Sequence, residues 1–240
     1  MLRLHRVADR SSGSHMEASE KSALLGRHPL FRELGGEVLG RLATYATTRT
    51  VARGTTLFAK GDPGDCLFAV VKGAVQVTVP SAEGKNAVVN LIGEGGILGE
   101  IALLDGQPRT ADAVAFTDCT LLVIERREFV SLLKSNPDVM LRLLEVLCGR
   151  LRRTTEQVED LMFLDLKGRL AKTLLRLAAM AKPDGTIEIS QSDLGQFVGL
   201  SREMINKQLQ VWAREGLIRL DRRRITLLKS GALERIVAEE

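Results

Sequence analysis

Hydrophobic positions along the chain change period twice. Between Glu17 and Tyr45 they fall in short helical clusters: Leu24 and Leu25, then Leu30, Phe31 and Leu34, then Val38, Leu39 and Leu42. Breaks fall at Pro29 and at Gly35-Gly36. Past Tyr45 the apolar runs shorten. Cys66–Val71, Ala74–Val79, Ala87–Ile92 and Thr120–Ile124 are rich in valine or alternate in polarity, as half-buried strands do. Ten glycines from Gly54 to Gly106 punctuate these runs. Turn signals at roughly 8–12-residue intervals predict a β-sandwich or jelly roll.

After Glu125 the period becomes helical again. The segment from about Asp138 to Leu164 contains no proline and one glycine, Gly149. Within it Leu144, Leu147, Leu151, Thr154, Val158 and Leu161 recur at spacings of 3, 4, 3, 4 and 3, the seam of a helix that pairs by knobs-into-holes packing. An amphipathic helix lying on its own domain's core would show a similar face. Length and the polar Thr154 favour a dimer helix. Leu164, Asp165 and Leu166, followed by Gly168, read as a hinge.

Beyond it, a helix over Lys167–Ala181 is predicted to end at the turn Lys182-Pro183-Asp184-Gly185, with a short strand at Thr186–Ile189. Ser190-x-x-Asp193 resembles a capping box and opens a helix over Ser192–Val198. Gly199-Leu200 then leads to Ser201, the N-cap of a helix over Arg202–Glu215. Leu217–Leu220 and Ile225–Leu228 flank a tight hairpin at Asp221–Arg224. Two short helices joined by a glycine-containing turn and followed by a hairpin make a winged helix-turn-helix.

The expected architecture is therefore α+β. A β jelly-roll domain with amino-terminal helices occupies residues 17–137, a long dimerisation helix 138–164, and a winged helix-turn-helix domain 165–240. Residues 1–16, with Ser11-Ser12-Gly13-Ser14-His15-Met16, read as a tag remnant, a native tail being the alternative.

Composition narrows the function classes. No apolar run approaches the ~20 residues of a membrane helix, and the amino end is too short and charged for a secretory signal, so a soluble protein is expected. Cys66, Cys119 and Cys148 are odd in number and show no C-x-x-C spacing, which suits a reducing cytoplasm rather than disulfides or zinc. The three histidines are His5, His15 and His28, too few in any ordered region for a His-based triad or metal site. With no nucleophile–base pair in view, no enzyme is expected. The net charge of +4 is unevenly spread. Residues 166–240 carry 14 basic and 9 acidic side chains, whereas residues 17–165 carry 17 and 20, so the basic excess sits in the winged unit, where a polyanion would dock.

On the second helix of that unit Ile205, Leu209 and Trp212 repeat at 4 and 3 and should face inward. Arg202, Glu203, Asn206, Lys207 and Gln210 are left outside, where Arg or Lys pairs with guanine and Glu accepts from the cytosine amino group. Arg222, Arg223 and Arg224 on the hairpin suit phosphates, as do Ser190, Gln191 and Ser192 at the preceding helix start. A second constellation is Gly99-Glu100-Ile101-Ala102-Leu103-Leu104 before Asp105-Gly106-Gln107-Pro108-Arg109-Thr110-Ala111. A guanidinium neutralises a phosphate and a carboxylate accepts from a ribose hydroxyl; a surface ion pair is the plainer reading of the same two side chains.

These strings resemble the cyclic-AMP receptor protein (CRP/FNR) family of bacterial transcription regulators. Gly99–Leu104 with Pro108–Ala111 is similar to the family's phosphate-binding cassette. Gly149-Arg150-Leu151-Arg152-Arg153-Thr154-Thr155-Glu156 is similar to its dimer helix, Asp165-x-x-Gly168-Arg169-x-Ala171 to its hinge, and Leu200-Ser201-Arg202-Glu203 to its recognition helix. The similarity runs in order from about residue 24 to 236. It implies that Glu100 binds the ribose 2′-hydroxyl and Arg109 the cyclic phosphate, with Gly99, Ile101 and Ala102 shaping the cassette. Thr110 would add a hydroxyl near phosphate or base. Thr154 would reach the base from its own subunit and Thr155 from the partner.

The resemblance further implies a homodimer, cyclic AMP or cyclic GMP as allosteric ligand, double-stranded DNA and RNA polymerase as partners, and no membrane. For want of an amino-terminal cysteine cluster or a histidine in the sensor strands, it implies neither an iron–sulfur centre nor haem, and no metal. Lys207 stands where the family's best-known member has arginine, and Glu100 and Arg109 lie one residue closer than there, the spacing of kinase-type cyclic-nucleotide domains. The competing expectations are a regulator of this fold indifferent to cyclic nucleotides, and a nucleotide-dependent enzyme subunit that does not touch DNA.

Overall fold

The computed structural model describes residues 16–80, 86–180 and 186–238; residues 1–15, Gly84 and the predicted turn at 182–185 lie outside them. Helices α1 (Ala18–Arg27) and α2 (Gly36–Tyr45) open the chain, separated where Pro29 and Gly35 interrupt the helical ladder. Between them His28 is buried against Phe31, ring centroids 5.1 Å apart. Its Nδ1 accepts from the Leu30 amide at 3.2 Å, so Nε2 carries the proton and donates to the Gly96 carbonyl at 3.3 Å.

Burial holds the imidazole below its ordinary value of 6.5, against the smaller upward pull of the Gly96 carbonyl. The unfolded chain therefore takes up this proton first as pH falls below 6.5. Stability is intact above that pH and declines with acidification until the buried ring itself titrates. The slope is at most ~1.4 kcal/mol per pH unit. Urea unfolding at a series of pH values is expected to show this decline, and a His28→Gln variant to lack that share of it.

Among the described residues eight strands follow: β1 (Thr47–Val51), β2 (Thr56–Phe58), β3 (Cys66–Lys72), β4 (Val75–Pro80), β5 (Asn86–Ile92), β6 (Ile97–Leu98), β7 (Asp112–Ala115) and β8 (Cys119–Glu125). They form two four-stranded sheets, β1-β8-β3-β6 and β2-β7-β4-β5, with a core that includes Val51, Phe68, Val70, Val75, Leu98 and Leu121. Leu67 and Ala69 alternate with Phe68 and Val70, yet all four are buried. Helix α4 (Arg126–Ser135), after the short α3 (Glu100–Asp105), packs on β3 and β8 and buries Phe129, Leu132 and Leu133, covering the second face. The Cys66–Val71 run is thus a strand buried on both sides, whereas β4 and β5 keep the half-buried pattern expected of them.

Helix α5 (Pro137–Phe163) is one 27-residue element that buries only Val139 and Leu143. Then come α6 (Leu166–Ala179), β9 (Thr186–Glu188), α7 (Gln191–Val198), α8 (Arg202–Arg214), β10 (Ile218–Asp221), β11 (Arg224–Leu227) and α9 (Ser230–Ala238). The last three strands form a small sheet in the order β10-β11-β9. Helix α9, absent from the expected elements, packs on α6 through Leu233.

Two compact units result. One runs to Thr78 and resumes over Asn90–Val146; the other holds Val79–Val89 and the chain from Leu147. Among the described residues no helix is long and apolar enough to cross a membrane. Among the same residues no group of three or more His, Cys, Asp or Glu side chains is placed to hold a metal ion.

Candidate functional site

In the first unit the cassette is built around Gly99. This glycine has φ 88° and sits at the N-cap of α3, where a side chain would be strained and its Cβ would lie 2.3 Å from Arg109 Nη1. Glu100 and Arg109 are both buried, 1% and 4% exposed. Arg109 Nη1 donates to the Gly99 carbonyl at 2.7 Å and Nη2 to the Cys66 carbonyl at 2.8 Å. The guanidinium carbon lies 4.3 Å from the Phe58 ring centroid. Its Nε is buried with no hydrogen-bond partner among the described residues, a donor that suits an anion. With a carbonyl acceptor on each Nη, an aromatic face against the group and Nε left over as a donor, the residues present fit a phosphate. Burial raises the Cys66 thiol above its ordinary value against the pull of Arg109, so it stays protonated beside the cation.

The surface ion pair is therefore not what this segment forms: the two charged groups are inside. Ala102 is buried beneath Gly64, whose added Cβ would meet the Ala102 methyl at 2.2 Å. Ile101 and Thr110 are exposed. Arg126 Nε donates to the Leu103 carbonyl at 2.6 Å and anchors the far end of α3. Phe58, Gly64, Cys66 and Arg126 went unread in the sequence, since strand pairing, not local spacing, brings them here.

The seam on α5 is open. Leu144, Leu151, Val158 and Leu161 are 50%, 69%, 50% and 63% exposed. Leu147 is half-buried. Thr154 and Thr155 belong to the second unit; both are exposed and donate back to the carbonyls of Arg150 and Leu151, at 3.0 and 3.1 Å. At the hinge, Leu164 and Asp165 separate the helices, and Leu166 is already the first residue of α6. Asp165 is the N-cap, its carboxylate accepting from the Lys167 and Gly168 amides.

The winged unit brings most of its predicted residues to one side. Ser190 caps α7 by accepting from the Asp193 amide at 3.0 Å, and Ser201 caps α8 from the Met204 amide at 3.3 Å. Ile205, Leu209 and Trp212 are buried, as is Gln208. Arg202, Glu203, Asn206, Lys207 and Gln210 are exposed. Gln191 Nε2 donates to Asn206 Oδ1 at 3.1 Å, tying the two helices together. A cleft of about 420 Å³ is lined by Ser190, Gln191, Ser192, Arg202 and the three wing arginines, among others.

Arg222 and Arg223 form the loop between β10 and β11, and Arg223 has φ 62°, a conformation no other described non-glycine residue adopts. Arg224 instead lies within β11 and pairs with Glu188 at 3.6 Å, so part of its charge is already answered. Gly195 makes the turn possible: a Cβ there would lie 2.6 Å from the Leu200 carbonyl oxygen, a backbone atom. That glycine's own carbonyl accepts from the Gly199 and Leu200 amides. Gly195→Ala is expected to cost the winged unit about 1–3 kcal/mol, read as a lowered thermal midpoint.

Comparison with known proteins defines the class first. Residues 48–136 match the cyclic nucleotide-binding domain and residues 168–236 the Crp-like helix-turn-helix domain, so the chain is a cyclic-nucleotide-binding, DNA-binding transcription regulator and not an enzyme. It is 32% identical over 218 residues to the CRP-like cAMP-activated global transcriptional regulator of Mycobacterium tuberculosis, covering 88% of this chain and 97% of that protein. It is 38% identical over 170 residues to the cAMP-activated global transcriptional regulator CRP of Salmonella typhimurium, covering 68% and 81%. The solved structure of the c-di-GMP responsive global regulator CLP of Xanthomonas campestris superposes with a TM-score of 0.71 at 26% identity, over 80% of this chain and 99% of that one. The chain belongs to the CRP/FNR family.

Proposed function

We propose that the protein is a homodimeric regulator whose DNA binding is set by a cyclic mononucleotide, cyclic AMP or cyclic GMP, held by the Gly99–Ala111 cassette of the domain over residues 17–137. The carrying observation is the burial of Arg109 at Gly99 with an Nε donor left over. A buried cation is costly without a counter-charge, and a cyclic phosphate supplies one. In this reading Arg109 takes the phosphate, Glu100 the ribose 2′-hydroxyl, and the first-turn amides of α3 the remaining oxygens. Thr110 adds a hydroxyl. Thr154 and a second copy's Thr155 reach the base from α5, so ligand and dimer seam are thermodynamically linked. The ligand favours one seam arrangement, and the hinge at Leu164, Asp165 and Leu166 then sets two recognition helices about one DNA turn apart.

Relatives named as cAMP-activated make cyclic AMP the first ligand to titrate, with cyclic GMP second and cyclic di-GMP third. Calorimetry on the full chain is expected to give saturable binding of a cyclic mononucleotide. No heat with any of the three overturns the pocket.

Arg202, Glu203, Asn206 and Lys207 would read the major groove of a palindromic site, with Ser190, Gln191, Ser192, Arg222, Arg223 and Arg224 on its phosphates. RNA polymerase would be the further partner. Removing Arg222 and Arg223 together is expected to shallow the salt dependence of DNA affinity by about two phosphate contacts per chain, a slope change near 3.6 in log K against log salt for the dimer. An unchanged slope in mobility-shift titrations places the wing off the DNA.

A further inference from the structure

Apart from the Gly99 carbonyl on Nη1, the setting of Arg109 comes from one short segment, Phe58 to Cys66. The Arg109 amide donates to the Asp62 carbonyl at 2.9 Å, and its carbonyl accepts from the Gly61 amide at 2.9 Å. Its side chain donates through Nη2 to the Cys66 carbonyl, while the guanidinium carbon sits over the Phe58 ring, 4.3 Å from its centroid. Phe58 is itself steadied by Phe68, ring centroids 5.8 Å apart, on the sandwich core. Backbone bonds fix where the Arg109 chain starts, two carbonyls fix the in-plane rotation of its head, and the ring fixes the remaining out-of-plane freedom.

We propose that Phe58 is a positioning residue for anion recognition: its π face holds the Arg109 guanidinium in place before ligand arrives. The inference rests on the cassette reading above and goes beyond it, since Phe58 need not touch the ligand. A long, flexible arginine side chain has much rotamer entropy to lose on being fixed. A desolvated cation–π contact is large enough to offset much of that. The planar cation is attracted to the negative ring face, and the bonds to Gly99 and Cys66 lie in its plane, so the stack persists when a phosphate approaches the Nε edge.

The test is a series at position 58 in the full chain, read by calorimetry with the cyclic mononucleotide that binds wild type. Phe58→Leu is expected to raise Kd about tenfold. Phe58→Tyr is expected to restore binding. Fluorinated phenylalanines at 58, which keep the ring's shape while draining its quadrupole, are expected to raise Kd stepwise with fluorine count at an unchanged thermal midpoint. A Kd flat across the fluorinated series makes Phe58 mere packing and overturns the proposal, as does a Phe58→Leu protein that binds as tightly as wild type or tighter. Wild type that binds no cyclic mononucleotide, or Arg109→Ala that binds as wild type does, overturns the cassette itself and the platform with it. Impaired Arg109→Ala with an unaffected position 58 overturns the platform alone.

Discussion

Arg109→Ala is expected to weaken cyclic-mononucleotide binding by two to three powers of ten, read as a shift in calorimetric Kd. The guanidinium is 4% exposed and already hydrogen-bonded to two carbonyls, so an incoming phosphate meets a cation that is desolvated and oriented. Truncating one side of a buried, hydrogen-bonded charge pair costs ~2–5 kcal/mol, because the other charge is then buried alone. The carbonyls of Gly99 and Cys66 would lose their donor as well, at about 1–3 kcal/mol each where no water replaces it, so a lowered thermal midpoint should accompany the loss. Arg109→Lys should rescue poorly. An ammonium brings the charge but has no planar fork with which to span Gly99 and Cys66 while sitting over the Phe58 ring. Binding by Arg109→Lys equal to wild type would mean that charge alone, and not the fork, holds the ligand.

The second large effect is expected at the α5 seam. Leu151 is 69% exposed and flanked on the same stripe by Leu144, Val158 and Leu161, so the folded chain leaves this face uncovered. Leu151→Glu should then leave the fold of one chain intact while opposing self-association. A two-fold seam brings the substituted position in twice, so the lost burial counts twice at ~1.5–3 kcal/mol per leucine, and two carboxylates are set near one another besides. Light scattering is expected to move from the mass of two chains to that of one at micromolar concentration. DNA affinity should fall at least a hundredfold as half of the phosphate contacts detach. An unchanged mass, with the variant folded, removes the seam from the assembly.

How much of this was legible beforehand differs from site to site. Ser190 and Ser201 were readable because a cap acts over three residues, and each is found accepting an amide bond its position requires; Asp165, read as a hinge, proves to cap α6 as well. The inward row Ile205, Leu209 and Trp212 was readable because helical period alone puts those side chains on one face. Glu100 and Arg109 were readable as residue types in a string, but their burial was not: nothing within nine residues separates an exposed ion pair from two charges turned inward. Arg224 was grouped with its two neighbours by composition, and only the pairing of β11 with β9 brings it against Glu188.

The sequence by itself determined the order of helical and strand segments up to β11, the caps at Ser190 and Ser201, and which half of the chain carries the basic excess. Those properties are set within a turn or two of chain, by hydrogen-bond periodicity and side-chain patterning. Tertiary structure alone decided that α5 leaves Leu144, Leu151, Val158 and Leu161 uncovered, and that Arg109 comes to rest between the Cys66 carbonyl and the Phe58 ring. Both outcomes depend on how two sheets register and pack across long connections. That registry is a collective balance of burial over the whole core, and no local stretch of residues specifies it.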